Sequence, residues 1–451
     1  MVGIVIIQDI VLSLFLMHHQ ADMTSRKEGH VQWIEGLRGI ASTLVWIAHV
    51  TRAFDLDLYS PVSGEGLRPR LLQLPFIRIM IQGRLGVIIF VYVTGYVCAL
   101  KPLSLFRRGN YEAGWSCVSK SALRRLPRLL YPSAIATTLA WSATQLGLFE
   151  AAEMTESYYL TQTVEDKLPL YPAIRELFFA IFKTWTGGGN KYDRHQGTLF
   201  ELFKGGMYVL LFVSATAKVQ AKFRMGASLI LWAYLWACGR PDFMQFWWGV
   251  FMNDLHNSRL YQRISWSKSR YIPFFGFLSV AVGLFIASFP ESRIDLAPWS
   301  RWQNQILSAI VPKDSEFPKF ASSFGFCLLT IGGALLPGYT DILSHRVLVW
   351  LGKRSFAVYL LHGTLLRWLL TWMVYGNALS PNLQVQQPES VSSKLVYAGN
   401  TWLLFCLPAW LGLLYGLAEI WTRYVDTAAE RFTSQLVAYT RQEESKELSL
   451  V

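Results

Sequence analysis

Between residues 33 and 54 an otherwise apolar stretch carries Glu35, Arg38, Ser42, His49 and Arg52. An ionisable group in hydrocarbon is costly, so its position within a membrane-length segment carries information. At about 100° per residue these five side chains share one helical face, and the eleven residues from Arg38 to His49 bring them to within about 20° of each other. The helical rise separates them by about 16 Å. That spacing suits a long, thin acyl donor. Arg38 at one mouth would hold anionic phosphate while a pantetheine-length arm carries a thioester to His49. A neutral imidazole there can take the proton of an acceptor hydroxyl. The alternative is structural: Arg38 snorkels to the interface and His49 bonds a neighbouring helix.

The elements that must position these residues are membrane helices. The 451 residues are 52% hydrophobic and only 16% charged, with 18 Trp and 28 Phe, a composition suited to lipid as solvent. The predicted fold class is all-α, a polytopic transmembrane helical bundle with about ten core spans. They are placed near 34–54, 80–100, 128–148, 198–217, 226–238, 241–253, 272–289, 322–340, 355–375 and 397–419. Three segments follow: 1–32, an apolar N-terminal stretch and cytosolic lead-in; 33–435, the membrane domain; and 436–451, a polar cytosolic tail. Residues 3–18 form either an additional span or an anchor.

The net charge of +12 comes without a basic run interleaved with aromatics, which excludes nucleic acid as a partner and leaves topology as its cause. One alternate set of loops carries about 22 Lys and Arg and the other about 14, so the first set is expected to face the cytosol. Arg38 then lies toward the cytosol and His49 past the midplane. The five cysteines are scattered without Cys/His spacing, so neither a zinc site nor a disulfide framework is expected. Gly187-Gly188-Gly189-Asn190 lacks the Lys-Ser/Thr of a phosphate loop and reads as a flexible turn.

The stretch Glu35-Gly36-Leu37-Arg38-Gly39-Ile40-Ala41 followed by His49 resembles the Arg-x10-His signature of the acyltransferase-3 family of membrane acyltransferases. Further segments agree in order. Gly83-Arg84-Leu85-Gly86 through Thr94-Gly95-Tyr96 resembles the family's second helix. Arg124-Arg125-Leu126-Pro127-Arg128 with Pro132 resembles the basic approach to the third. Gly197-Thr198-Leu199-Phe200-Glu201 resembles a Trp-Ser/Thr-Leu-x-x-Glu motif, with Gly197 where Trp is expected. Ser355, Tyr359 and His362 match a late Ser-x-x-x-Tyr-Leu-x-His helix. The resemblance runs from about 33 to 435, and the Trp247-Trp248-Gly249 segment leading to Asp254 is most like fungal members linked to secondary metabolism.

What the resemblance implies is transfer of an acyl group, usually acetyl, from a coenzyme A thioester to a hydroxyl of a small molecule. Acyl-CoA is then a co-substrate, with no tightly bound cofactor and no metal. The partners are this donor, a small-molecule hydroxyl acceptor and the lipid bilayer, and the eukaryotic character points to the endoplasmic reticulum or another endomembrane. The expected catalytic residues are His49 as general base, Glu201 assisting it at the same depth, and Arg38 positioning the donor. The expected donor-binding residues are Arg124, Arg125 and Arg128 at a cytosolic approach, with Ser355, Tyr359 and His362 along one face of the ninth span and His362 in its cytosolic half, on the donor's route. The positive-inside rule and interhelical packing produce both patterns as well. Arg367, deeper in that span, has no partner legible in the sequence. A proton-coupled secondary transporter is the competing class, since a bundle with buried Arg, His and Glu describes it too, although no internal repeat is visible.

Overall fold

The computed structural model describes residues 31–162, 165, 167–265, 269–313, 315–376, 395, 397 and 399–447. The stretch 3–18 and most of the segment 1–32 lie outside the described residues. The described chain is helical, with no strand and one isolated bridge between Thr155 and Leu395. Its main helices are α1 (Gln32–Phe54), α2 (Gly83–Arg107), α3 (Tyr111–Gln145), α4 (Leu170–Thr184), α5 (Gly197–Ala215), α6 (Ala221–Ala237) and α7 (Pro241–His256). They continue with α8 (Tyr271–Ala287), α9 (Pro298–Ile310), α10 (Phe317–Leu335), α11 (Arg346–Leu365), α12 (Asn400–Trp421) and α13 (Thr427–Glu447).

Each of the ten expected spans falls on a helix, but length and apolar composition sufficient to cross a bilayer are found in four: Gly83–Arg107, Arg194–Ala215, Arg346–Tyr375 and Asn400–Thr440. The shorter Tyr271–Ala287 is also apolar. The others fall short for physical reasons. Charged residues interrupt α1, α3 begins with a polar half that starts well before residue 128, and α6 and α7 have 17 and 16 residues. Large apolar side chains point outward around the bundle, among them Phe178 and Phe182 of α4, Phe274 and Phe277 of α8 and Phe405 of α12. In water such a surface would aggregate; against acyl chains it costs nothing.

Glycines let the helices approach closely, the small-residue packing that membrane interfaces favour. In α1 a side chain on Gly36 or Gly39 would overlap the backbone of Leu343 or Leu348, and one on Gly352 of α11 would overlap Glu35. The glycines of the Glu35–Gly39 motif therefore clamp α1 to α11 and to the short helical turn Tyr339–Leu343 ahead of it, and this contact fixes the height of His49 against His362. Gly276 and Gly283 of α8 similarly face Gly332 and Gly325 of α10.

Polar groups gather at the two ends. At one, Asp254 accepts from Arg107 and Arg224, joining ends of three loops expected in the cytosol. At the other, Glu291 accepts from Arg52 and Arg84, and Arg84 also reaches Glu316; these residues lie at or beside loops of the opposite set. The loops of each alternate set thus meet at one end of the bundle.

Candidate active site

A cavity of about 570 Å³ opens at the end of the bundle opposite Asp254. Val45, His49 and Arg52 of α1, Thr198 of α5 and Tyr359 and Gly363 of α11 line it, together with Tyr159, Asp193 and His195 from the connection between α3 and α5. The i, i+4, i+7 spacing of Val45, His49 and Arg52 turns one face of α1 to it. Arg52 sits in the wall while holding Glu291 through two contacts of 2.7 and 3.0 Å.

The connection owes its shape to Asn190. Its side-chain oxygen accepts from the amides of Tyr192 and Asp193, each at 3.0 Å, and its nitrogen donates to Thr137 Oγ1 at 2.8 Å. Gln196 donates to Asp193 Oδ2 at 3.2 Å and accepts from Thr137. The glycine run before Asn190 is thus a fastened turn rather than a free one, with Gly187 and Gly189 at positive φ. Burial alone would raise the carboxyl of Asp193, but the hydrogen bond with His195 and neighbouring charges outweigh it and hold the group below the usual carboxylate range.

Three imidazoles meet over this turn. The His49 ring centre lies 4.0 Å from that of His195 and 5.2 Å from that of His362, and His195 and His362 are 4.7 Å apart. Tyr159 Oη is 2.7 Å from His49 Nδ1 and 3.0 Å from His195 Nε2, while those two nitrogens are 3.3 Å apart. His195 Nδ1 lies 2.8 Å from Asp193 Oδ1. The backbone carbonyl of His195 accepts from the hydroxyls of Tyr359 and Thr198. A Cβ on Gly363 would come within 2.6 Å of His195 Nδ1, so this glycine makes room for the ring. His362 is fully buried; its Nδ1 faces the carbonyls of Val358 and Tyr359, leaving Nε2 without a hydrogen-bond partner.

Ligand nitrogens of the three histidines lie within 4.8 Å of one another, a grouping that can in general take a divalent metal. The Tyr159 hydroxyl also bonds one nitrogen each of His49 and His195.

Several sequence expectations change. Glu201 does not meet His49: it faces Lys204 at 3.7 Å and is absent from the cavity wall, lying about one helical turn beyond Thr198 along α5. The acid beside the imidazoles is Asp193. His362 and Tyr359 do not lie along a cytosolic donor route but at the His49 cluster, since α11 starts at Arg346 and reaches the depth of His49 only at their level. Ser355, two turns earlier, is buried in the same helix. Arg124 and Arg128 are exposed on α3, whereas Arg125 turns inward to Cys98 Sγ and the Leu202 carbonyl. Arg38 is 36% exposed and pairs with Glu35 at 2.9 Å. Arg367 finds the carbonyls of Tyr192 and Gly363 and the face of Phe149.

Tyr159, Asp193 and His195 were not singled out by the sequence. Lying in a connection between helices, they have no periodicity to mark them; the one available signal was the Asp-x-His spacing just ahead of the Thr198 motif.

A family model described as an acyltransferase domain matches residues 31–415. The O-acetyltransferase PaAT-1 of Phomopsis amygdali is 27% identical to this chain over 438 residues, covering 88% of this chain and 82% of that protein. No solved structure matches. A match over most of the chain, on a helical bundle whose Arg38 and His49 lie on one helix with His49 in a cavity wall, makes this membrane protein an acyltransferase of the acyltransferase-3 family.

Proposed function

We propose that the protein is a membrane-bound O-acyltransferase that moves an acetyl group from acetyl-CoA to a hydroxyl of a small molecule, in the setting of fungal secondary metabolism. The observation that carries this reading is His49 in the wall of a largely apolar cavity, with hydrogen-bonding groups behind its ring. About 570 Å³ lies within the roughly 300–1,000 Å³ typical of sites for small organic ligands. Val45, Leu56, Val87 and Leu366 offer it a hydrocarbon surface, and Arg52, Arg194 and Tyr158 a polar rim. About ten membrane segments and an endomembrane location belong to the same proposal.

In this mechanism His49 takes the proton of the acceptor hydroxyl as its oxygen attacks the thioester carbonyl carbon. The tetrahedral adduct collapses with cleavage of the carbon–sulfur bond, and the departing thiolate takes the proton from the imidazolium. The products are the ester and free coenzyme A. Arg38, about 16 Å back along α1, holds anionic groups of the donor. Proton-coupled carriage has no observation in its favour once the chain belongs to an acyltransferase family.

The test is transfer of labelled acetyl from acetyl-CoA in nanodiscs, with a panel of hydroxylated polycyclic molecules, followed by mass spectrometry. His49→Ala should lower kcat by about 10²–10⁴-fold, the usual range for loss of a general base, with unchanged expression. Full transfer by that variant would refute the assignment.

A further inference from the structure

Behind His49 the structure shows more than a packing contact, and the direction of each hydrogen bond can be worked out from donor and acceptor capacity. Asp193 lies at one end. As a carboxylate it only accepts, and its two oxygens face N–H groups of His195 and Gln196. His195 must therefore carry its proton on Nδ1, 2.8 Å from Asp193 Oδ1, and its Nε2 presents a lone pair in the neutral ring. Tyr159 Oη, 3.0 Å from that lone pair, has one proton and gives it there. The same oxygen is 2.7 Å from His49 Nδ1, so it accepts from His49, whose proton is fixed on Nδ1. The lone pair of His49 is thereby on Nε2, the edge of the ring away from Tyr159.

We propose that Asp193, His195 and Tyr159 form a relay of positioning residues that sets the tautomer and orientation of His49 and stabilises the imidazolium formed when its Nε2 takes the acceptor's proton. The relay need move no proton of its own. Every donor already points along it from His49 toward the carboxylate, so positive charge arising on His49 meets aligned dipoles ending in a negative charge. A hydroxyl and a second imidazole are interposed between base and carboxylate, which lets the acid sit in a loop rather than on a membrane helix. The fastening of that loop by Asn190, and of the His195 carbonyl by Tyr359 and Thr198, holds the chain in place.

The 3.3 Å separation of His49 Nδ1 and His195 Nε2 gives the relay a bypass. With the hydroxyl removed, His49 Nδ1–H can donate directly to His195 and keep the same tautomer. The variants should therefore not fall in order of distance from His49. Asp193→Asn, whose amide can present its NH2 to His195 and reverse the tautomer, and His195→Gln should each lower kcat by about 10³-fold, short of the roughly 10⁴-fold seen when a catalytic imidazole loses an acid bonded to it directly. Tyr159→Phe should cost only about tenfold. Asp193→Asn combined with Tyr159→Phe should match Asp193→Asn alone, since the two act through one chain.

This inference rests on His49 as the base, and the two fail differently. If His49→Ala is inactive while Asp193→Asn and His195→Gln, with normal yield and monodispersity in detergent, stay near wild-type kcat, the relay is overturned and the base survives. If His49→Ala is active, both fall. Elevated KM with unchanged kcat in the relay variants would show substrate-contact residues and overturn the relay, as would a Tyr159→Phe loss larger than that of His195→Gln. Should Asp193→Asn prove unstable, His195→Gln and the Tyr159→Phe comparison decide alone. Inactivation by 1,10-phenanthroline with recovery on adding zinc would also overturn it, because the imidazoles would then be metal ligands.

Discussion

Two buried polar clusters sit at opposite ends of one apolar bundle and answer to different demands. At one end Asp254, fully buried, is held by Arg224 through contacts of 2.7 Å and by Arg107 at 2.8 Å, with Arg224 also on the carbonyls of Thr216 and Val219. Opposite charges meet, and neither Asp254 nor its two arginine partners line the cavity described above. At the other end three imidazoles face one another with Asp193 as the carboxylate among them, a cavity at their side and the His362 Nε2 lacking a partner. The first cluster is satisfied and closed; the second is held rigidly on one side and left open on the other. Burial and charge alone do not separate a structural cluster from a reactive one. What separates them is whether every polar atom is already satisfied within the protein.

The largest expected effect breaks the closed cluster. Asp254→Ala leaves the guanidinium of Arg224 buried without its acid and should cost about 3–5 kcal/mol of stability, the usual penalty for orphaning a buried charge. Thermal inactivation in detergent should show a lower midpoint and reduced yield. The protein that does fold should keep kcat within about threefold, less than 1 kcal/mol of barrier. A loss of kcat with the midpoint unchanged would erase the contrast between the two ends.

A smaller effect is expected where the sequence placed the donor. Among the described residues Arg38 pairs with Glu35 and remains partly exposed, so its guanidinium can take a further anionic group. Arg38→Ala should raise the KM for acetyl-CoA about tenfold, equivalent to about 1.4 kcal/mol, and leave the KM for the acceptor unchanged. Equal shifts in both would mean that Arg38 supports the fold of α1 and not the donor.

What could be read from the sequence follows from what helices make periodic. The polar stripe of α1 was legible because Glu35, Arg38 and His49 recur on one face of an apolar run, and His49 is indeed in the cavity wall. The spacing of Ser355, Tyr359 and His362 was legible for the same reason. Their depth was misjudged because it is set by the glycine contact between α1 and α11, a tertiary fact. Asp193 and His195 escaped because a connection has no period, and its course back among the helices depends on Asn190, Thr137 and Gln196 meeting in space. The number of spans was legible only in part for a related reason: apolar runs mark helices, while length and interrupting charges single out four of the described ones as long and apolar enough to cross a bilayer unaided.

Glu201 sharpens the comparison with the smallest effect. Depth along the helix made it a natural partner for His49, yet depth fixes only one coordinate. Thr198 faces the cavity, and three residues further on a helix has turned by about 300°, which leaves Glu201 about 60° off that face and a turn away. There it meets Lys204 at 3.7 Å, with both side chains more than a third exposed, an ion pair of the kind worth under about 1 kcal/mol. Glu201→Gln should therefore leave kcat and both KM values within about threefold of wild type, a change of well under 1 kcal/mol, and barely alter thermal inactivation. A loss of kcat comparable to that of Asp193→Asn would restore Glu201 as the acid that serves His49 and would show that α5 turns toward the cavity when substrates bind.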